Sequence, residues 1–407
     1  MITQSVIKNG LTYRQNKEGD GYPITRIETI SDEKIDPTRV GFVNNLKEEE
    51  LREYRLIVGD ILFSHINSLE HIGKTAIYEA VPEVLLHGMN LLLLRPNKQK
   101  IEPYFLLYLL RLYRTVGIFK NMAKKAVNQA SINQTELKRV RISLPPLEEQ
   151  QKIAQVLMSI DKAIEAVDEA IAKAERIKKG LMQELLTKGI GHREFKGVKL
   201  TLIDTEIPEN WEIVKLRDII TDLKSGFASG KRDENGILQL RMDSIDLNGR
   251  INPNAGVKVP IPKNVEEYLL KPGDILFNNT NSVDLIGKTA IFRGEFARCV
   301  YSNHLTRIRV NPEKTIPEWL LYVMIRYWQL GIFKAICHQH VHQAGINSKD
   351  LLNLKIPLPP LEEQQKIAEI LSKWDEVIEM KKAKKDKLER MKKKVMELLL
   401  TGKVRVK

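Results

Sequence analysis

The sequence predicts an α+β protein: two globular domains of mixed strands and helices, each followed by a long α-helix, with the two long helices packed on each other. Three observations support this fold class. The segment LPPLEEQQKIA occurs unchanged at residues 144–154 and 358–368. A regular apolar seam follows each copy, and the sequence before each copy also repeats at the same offset of 214 residues.

We call residues 144–187 the first rod and residues 358–407 the second rod. Apolar side chains in the first rod recur at alternating steps of four and three, the 3.5-residue spacing of a left-handed coiled coil. Lys178 is the one break in this seam. If two copies of the first rod paired with each other, we expect its ammonium group to bend towards water. A helix of about 40 residues is about 60 Å long, so two such rods in one chain most simply pack together.

Each rod carries sequence signals at its ends. Two prolines precede the first rod's apolar seam, and Glu148 and Glu149 suit the positive end of a helix dipole. Gly189 and Gly402 follow the predicted helices of the two rods, where a C-terminal glycine is favoured.

The domains are also duplicated. GDILFSHINSLEHIGKTAIY at residues 59–78 returns as GDILFNNTNSVDLIGKTAIF at residues 273–292, with 13 of 20 positions identical. The offset is constant from residue 59 to residue 187, which indicates a duplicated domain rather than a short solenoid repeat. The predicted order is therefore domain, rod, domain, rod, with the bounds 1–143, 144–187, 188–357 and 358–407.

Each domain shows strands followed by an amphipathic helix. We expect strands at residues 24–30, 75–78 and 90–94 and, in the second copy, at 237–245, 289–292 and 304–310. A helix is expected over residues 103–122 and from Pro317 onwards, and a strand then leads into the prolines of each rod. The lead-in IPENWEI at residues 207–213 has no counterpart in the first copy. Either the first domain does without this strand or the true start lies further upstream.

Composition limits the class of protein. Two cysteines, Cys299 and Cys337, suit a reducing cytoplasm, and the absence of any apolar run near 18 residues predicts no membrane span. The net charge of +13 favours a polyanionic partner. The charge is uneven: each domain carries +5, the first rod −2 and the second rod +5, which favours pairing of the two rods.

The tandem layout, the duplicated LPPLEEQQKIA, the KKGLMQELLTKG that ends the first rod and the GDILF…NS…IGKTAI frame resemble the specificity subunit of type I restriction–modification enzymes. The resemblance covers nearly the whole chain. It implies two target-recognition domains at opposite ends of an antiparallel coiled coil, each reading one half of a split, asymmetric double-stranded DNA target.

The resemblance also implies partners and a role. It predicts a cytoplasmic, non-catalytic subunit that carries two methyltransferase subunits and restriction subunits and does not contact a membrane. We expect no cofactor on this chain, with S-adenosylmethionine, ATP and Mg²⁺ confined to the partner subunits. A stand-alone coiled-coil DNA-binding protein, a repressor or scaffold without enzyme partners, is the alternative.

Base-reading residues are expected on polar tips that differ between the two copies of a fixed frame, since Asn, Gln, Ser, His and Lys can hydrogen-bond to base edges. For the first half-site we expect Ser64, His65, Asn67, Ser68, His71, Lys74, Lys124, Lys125, Asn128 and Gln129. For the second half-site we expect Asn278, Asn279, Thr280, Asn281, Ser282, Lys288, His338, Gln339, His340, His342 and Gln343.

An NTPase is the competing enzyme class. Residues 68–75 and 282–289 come within one glycine of the phosphate-binding pattern GxxxxGK[ST]. The first glycine is serine in both copies, however, and the residues that follow predict a strand, whereas a phosphate loop must open a helix. We therefore expect no NTPase site.

A metal site is the other alternative. Cys337, His338, His340 and His342 are metal-binding residue types, but their counterparts in the first copy could not bind a metal. We therefore predict no metal site and no catalytic residues.

Overall fold

The structure, a computed structural model, describes residues 5–14, 16, 19–127, 129–252, 254–339 and 343–406. The chain forms two compact units. Unit 1 comprises residues 1–169 and 382–407, and unit 2 comprises residues 170–381. Each unit therefore combines one globular domain with a part of each long helix.

The first domain contains nine short strands and four helices among its described residues. The strands are β1 (Ser5–Asn9), β2 (Tyr22–Ile24), β3 (Gly41–Val43), β4 (Ile61–Ser64), β5 (Ile66–Asn67), β6 (Thr75–Ile77), β7 (Leu91–Pro96), β8 (Lys124–Lys125) and β9 (Ala130–Ser131). The helices are α1 (Glu48–Tyr54), α2 (Pro103–Thr115), α3 (Ile118–Met122) and α4 (Gln134–Lys138), after which the chain enters α5 (Leu147–Leu185).

The second domain repeats this plan with additions. Its strands are β10 (Phe195–Leu200), β11 (Ile203–Pro208), β12 (Glu212–Lys215), β13 (Ile220–Ser225), β14 (Ile237–Leu240), β15 (Val257–Val259), β16 (Ile275–Asn278), β17 (Thr280–Asn281), β18 (Thr289–Ile291), β19 (Cys299–Tyr301), β20 (Leu305–Val310), β21 (His338–Gln339), β22 (Ala344–Gly345) and β23 (Lys355–Leu358). Its helices are α6 (Pro317–Gln329), α7 (Ile332–Ile336) and α8 (Ser348–Leu352), followed by α9 (Leu361–Leu400).

A four-stranded antiparallel sheet forms the centre of each domain. The strand order is β1-β7-β4-β6 in unit 1 and β13-β20-β16-β18 in unit 2. The amphipathic helix, α2 or α6, packs on this sheet and buries its apolar face in the core of its domain. The predicted duplication is thus a repeat of one sheet-and-helix core.

Three repeated motifs of the domain, GDILF, IGKTAI and GIFK, meet in that core. Gly73 of the IGKTAI segment has φ of 79°, and a Cβ at this position would strike the ring of Phe119 from the GIFK segment. Phe119 in turn packs edge-to-face on Phe63 of GDILF, with ring centroids 4.9 Å apart. Gly287 and Phe333 repeat this arrangement in unit 2. The fixed frame is therefore a packing requirement of the domain.

The long helices follow the prediction. Helix α5 has Glu148 and Glu149 in its first turn, and α9 has Glu362 and Glu363. In unit 1 the first part of α5 lies against the last part of α9, because Asp161 pairs with Lys392 and Asp168 pairs with Lys385. In unit 2 Lys178 of α5 pairs with Asp375 of α9. As the residue number increases along α5, the number of the residue that it contacts in α9 decreases. The two rods therefore pair antiparallel.

Some predicted elements were wrong. Residues 24–30 hold only the end of β2 and a short 3₁₀ turn, because the Thr29 hydroxyl accepts from the Arg26 amide and donates to the Arg39 carbonyl. In the second copy the predicted strand at residues 237–245 ends with β14, at Leu240. The predicted helix at residues 103–122 is broken at Gly117, which has φ of 82°.

The strand before the prolines forms only in the second copy. There β23 pairs antiparallel with β12, which belongs to the additional lead-in segment. Residues 140–146 of the first domain, all described, are not in a strand. In the second copy the lead-in thus supplies the partner of this strand. Among the helices of the described residues, none is long and apolar enough to cross a membrane.

Candidate nucleic-acid interface

A small three-stranded sheet in each domain joins the two segments that were predicted to read bases. In unit 1 the order is β5-β9-β8, with Ala130 of the central strand opposite Asn67 on one side and Lys125 on the other. In unit 2 the order is β17-β22-β21, with Ala344 opposite Asn281 and Gln339. Segments about 60 residues apart in sequence thus form one surface in each domain.

The predicted residues of the first domain differ in exposure. The exposed side chains are Ser68, His71, Lys124, Lys125 and Gln129, the half-buried ones are His65, Asn67 and Lys74, and Ser64 is buried. Asn128 lies outside the described residues. Only the exposed group is directly available to a ligand, and it lies on β8, on the turn after it and on the turn after β5.

The second domain has a similar distribution. The exposed side chains are Ser282, His338, Gln339 and Gln343, the half-buried ones are Thr280 and Asn281, and the buried ones are Asn278, Asn279 and Lys288. His340 and His342 lie outside the described residues. Among the described residues, the exposed positions that differ between the copies therefore include both residues of β8 and β21 and the pair His71 and Leu285.

The shared Asn-Ser pair holds a turn rather than projecting outwards. The Asn67 amide donates to Ser64 Oγ at 3.1 Å, and the Ser68 backbone N–H donates to Asn67 Oδ1 at 2.8 Å. In unit 2 Asn281 and Ser282 make the same two bonds, with Asn278 as the acceptor. The asparagine side chains are therefore engaged within the domain, which explains why both copies have asparagine at this position.

The shared lysine of the IGKTAI segment also faces inwards. Lys74 Nζ donates to the Ser31 carbonyl at 2.5 Å, and Lys288 Nζ donates to the carbonyls of Met242 and Ile245 at 3.1 and 2.8 Å. Burial lowers the pKa of Lys288 below its usual value. Ser31 and Ile245 are 214 residues apart, so both domains use this lysine to hold a 3₁₀ turn against the sheet.

An exposed side chain on β8 and another on β21 each contact an acidic side chain of the same domain. His338 Nε2 lies 2.7 Å from Asp350 Oδ2 and 3.2 Å from the Asn347 amide, which orients the ring on the surface. Lys124 Nζ lies 3.3 Å from Glu136 Oε1 in the first domain. Sequence reasoning missed Glu136 and Asp350, although both lie at position N3 of a short helix beside the tips.

The structure contradicts the phosphate-loop alternative, whereas His340 and His342 of the metal alternative lie outside the described residues. The residues after Lys74 and Lys288 form β6 and β18, so neither segment opens a helix as a phosphate loop does. Among the described residues, no group of three or more His, Cys, Asp or Glu side chains is placed to hold a metal ion.

A second cluster, absent from the sequence predictions, fixes each domain to the rods. In unit 1 the Tyr108 hydroxyl of α2 donates to Asp161 Oδ2 of α5 at 2.6 Å, and Lys392 Nζ of α9 lies 2.5 Å from Asp161 Oδ1. The Lys392 ammonium also lies 5.6 Å from the centre of the Tyr108 ring. We call this set of three residues a joint, since it connects the domain, its own rod and the other rod.

Unit 2 contains the same joint. The Tyr322 hydroxyl of α6 donates to Asp375 Oδ2 at 2.8 Å, Lys178 Nζ lies 2.5 Å from Asp375 Oδ1, and the Lys178 ammonium lies 5.4 Å from the centre of the Tyr322 ring. Each residue is 214 positions from its unit 1 counterpart. Lys178, the one break in the apolar seam of the first rod, is thus covered here: its side chain is 9% exposed and bonded to a carboxylate.

The LPPLEEQQ motif attaches each rod to the domain before it. The Gln150 amide donates to the carbonyls of Lys100 and Pro145, and its oxygen accepts from the Glu102 backbone N–H at 3.0 Å. Gln364 makes the corresponding bonds in unit 2 and is fully buried. The repeated motif therefore has a specific structural task.

The same motif receives the chain that leaves the opposite rod. Glu149 forms a two-bond pair with Arg405, both at 2.6 Å, after the end of α9 in unit 1. Its counterpart Glu363 accepts from the indole of Trp211 at 3.0 Å and from the backbone N–H of Ile190, after the end of α5. The chain therefore repeats one domain core and one attachment to the rods, and each copy carries a different set of exposed side chains. This arrangement is typical of a protein that recognises two different sites.

Comparison with known proteins identifies the family. The family described as type I restriction modification DNA specificity domain matches residues 5–176 and again residues 208–390. The putative type I restriction enzyme MjaX specificity subunit of Methanocaldococcus jannaschii is 47% identical, over 99% of this chain and 92% of the relative. The MjaVIII specificity subunit of the same organism is 34% identical, over 76% of this chain and 72% of the relative. The chain belongs to the family of type I restriction–modification specificity subunits.

Solved structures share the fold. The specificity subunit of a type I system from M. genitalium matches with a TM-score of 0.57 at 13% identity, covering 97% of this chain and 93% of that one. A chain from a structure on the assembly and conformational transition of a type I restriction–modification system matches with a TM-score of 0.55 at 18% identity, covering 97% of each chain.

Proposed function

We propose that the protein reads an asymmetric, two-part DNA sequence, with one domain for each half. The observation that carries this function is the repeated frame with different exposed tips. The same small sheet presents Lys124 and Lys125 in one domain and His338 and Gln339 in the other. Because bases are distinguished by the hydrogen-bonding groups that reach them, different tips on one frame read different half-sites.

The rods set an unread gap between the half-sites. Their antiparallel pairing in each unit, held by Asp161–Lys392 and Lys178–Asp375, makes them a spacer of defined length. Dimeric DNA-binding proteins fix half-site separation in the same way, but here one chain supplies both halves.

We further propose that this subunit does no chemistry. It scaffolds two methyltransferase subunits and the restriction subunits in the cytoplasm, and those partners hold S-adenosylmethionine, ATP and Mg²⁺. The membership of the specificity-subunit family over almost the whole chain supports this assignment.

Selection from randomised duplex DNA tests the reading function. The full chain, purified with the subunits that accompany it, should enrich two different short sequences at one fixed separation. Enrichment of a single continuous sequence, or of none, would contradict the proposal.

The alternative, a stand-alone DNA-binding protein, is distinguished by what co-purifies. A specificity subunit should isolate with a methyltransferase in a ratio of two methyltransferases to one specificity subunit. A repressor or scaffold should isolate by itself and still select DNA. Quantitative mass spectrometry of the tagged chain, expressed from its native operon, separates the two functions.

A further inference from the structure

We propose that the two joints, Tyr108–Asp161–Lys392 and Tyr322–Asp375–Lys178, are positioning residues that determine how strictly the protein discriminates the length of the DNA gap. This inference rests on the proposed two-site reading of DNA. It assigns a recognition role to six residues that lie on helices, away from the small sheets that read bases.

The joint connects three separate elements through one carboxylate. Asp161 uses Oδ2 for the tyrosine of the domain and Oδ1 for the lysine of the other rod, so it spans the place where all three meet. Asp375 does the same with Tyr322 and Lys178. Charge-assisted hydrogen bonds have narrow distance and angle preferences, so they restrict rotation as well as separation.

Burial of the joint residues makes a change in the geometry of these bonds costly. Tyr108 and Tyr322 are 2% and 1% exposed, and burial, together with the bond to aspartate, raises the pKa of each phenol well above its usual value. Lys178 is 9% exposed. A domain that turned on the rods would leave the buried Lys178 ammonium, or the largely covered carboxylates of Asp161 and Asp375, without a partner, which is unfavourable.

Apolar packing alone would not give this control. In unit 1 Tyr108 belongs to an apolar cluster that joins α2 to both rods, with Leu157 of α5 and Met396 of α9 among its members. Apolar contact is non-directional and tolerates small rotations. The joints therefore supply the directional part of the attachment.

Gap discrimination needs this kind of control. Adding one base pair moves a half-site by about 3.4 Å along the axis and turns it by about 34° around it. A domain held loosely on the rods could follow such a change, whereas a domain held by bonds to both rods could not. The identical joints in two domains with different tips indicate a task that is shared by both half-sites.

The test replaces both joints with apolar groups of similar size, so that no buried charge is left unpaired. The variant carries Tyr108→Phe, Tyr322→Phe, Asp161→Leu, Asp375→Leu, Lys178→Met and Lys392→Met. The control variant, Asp168→Leu with Lys385→Met, removes an ion pair between the same two helices whose side chains are 47% and 33% exposed. Binding is measured to duplexes that carry the selected half-sites with the selected gap, or with one base pair fewer or more.

We expect a one-base-pair change in gap to weaken binding by at least about tenfold for the wild-type and control chains, and by less than about threefold for the joint variant. Scrambling either half-site should still abolish specific binding by all three. A joint variant with the wild-type gap ratio would overturn the inference while leaving two-site reading intact. A wild-type chain that ignores the half-sites would instead overturn the proposed function.

A milder variant keeps the test decisive if the sixfold variant does not fold, as judged by its circular dichroism and melting curve. Tyr108→Phe with Tyr322→Phe removes only the two hydroxyl groups and retains every charge. Its gap ratio should fall between those of the wild type and the full variant. A ratio equal to that of the wild type in this folded variant would also overturn the inference.

Discussion

Lys178 Nζ and Asp375 Oδ1 lie 2.5 Å apart, and their side chains are only 9% and 17% exposed. Lys178 occupies the apolar seam of α5, where the sequence alone shows an interruption. Its counterpart Lys392 contacts Asp161 at the same distance. The lysine that interrupts the seam therefore forms the same ion pair in both units. The rods are thus paired by largely covered ion pairs as well as by an apolar seam.

Removing one member of such an ion pair should destabilise the folded chain. Lys178→Met should lower the free energy of unfolding by about 3 kcal/mol, because Asp375, only 17% exposed, would be left without its cation. Urea denaturation, followed by circular dichroism, measures the change. The control Lys179→Met alters an exposed neighbour on the same helix and should change stability by less than about 0.5 kcal/mol. Equal effects of the two substitutions would show that the ion pair does not contribute.

Exchange of the exposed tips should change one half-site only. Replacing residues 338–342 with the KKAVN of residues 124–128 alters the tip of the second domain and leaves its buried frame unchanged. Selection from randomised DNA should then return an altered second half-site and an unaltered first one. Loss of both preferences, or retention of both, would place base reading elsewhere. Lys349→Gln, on the exposed face of α8, is the matched control.

The first domain should lose stability in mild acid through His87. Burial lowers the pKa of His87 to about 4, from the 6.5 of a free imidazole, and Nε2 lies 3.0 Å from the Leu91 carbonyl. Above pH 6.5 the ring is neutral in both folded and unfolded chains and contributes no pH dependence. As the pH falls from 6.5 towards 4, the unfolded chain binds the proton first, so unfolding becomes easier by up to about 3 kcal/mol.

The variant His87→Gln isolates that contribution. Urea unfolding at pH 7.5 and pH 5.0 should show a smaller loss of stability for this variant than for the wild type. Carboxylates titrate equally in both proteins, so the difference between the two losses reports His87. Identical losses would contradict the assignment.

The two halves of the chain should differ in self-association. Residues 1–187 should form an antiparallel homodimer that binds an inverted repeat of the first half-site, since a two-fold protein reads a two-fold sequence. Residues 203–407 should stay largely monomeric at low salt. Lys385 pairs with Asp168, whose counterpart in the second rod is Lys382, so two second rods would oppose lysines. Sedimentation at matched concentrations tests this, and a dimer of the C-terminal half beside a monomeric N-terminal half would contradict it.

The parts of the fold that follow from repetition were predictable. The two rods and the duplicated domain rest on spacing in the sequence, and the helix bounds of Leu147–Leu185 and Leu361–Leu400 lie close to the expected ones. Failures occurred where a side chain overrides the local pattern, as Thr29 does in the 3₁₀ turn that replaces a predicted strand.

The candidate site was predicted only in part. Local comparison of the copies located the exposed tips, but it also selected Asn279 and Lys288, whose burial depends on the strands around them. The joints were missed because tyrosine, aspartate and lysine each look ordinary in their own helix. Pairing Asp161 with Lys392 across the chain requires the antiparallel register, which no local pattern contains.

The central claim is that the rods measure the separation between half-sites. Inserting one heptad into α5 after residue 169, and one into α9 after residue 381, preserves the seam and lengthens the pair by about 10 Å. Selection from randomised DNA should return the same two half-sites with the gap increased by about 3 base pairs, at 3.4 Å per pair. Recovery of the original gap by the lengthened protein would contradict the account.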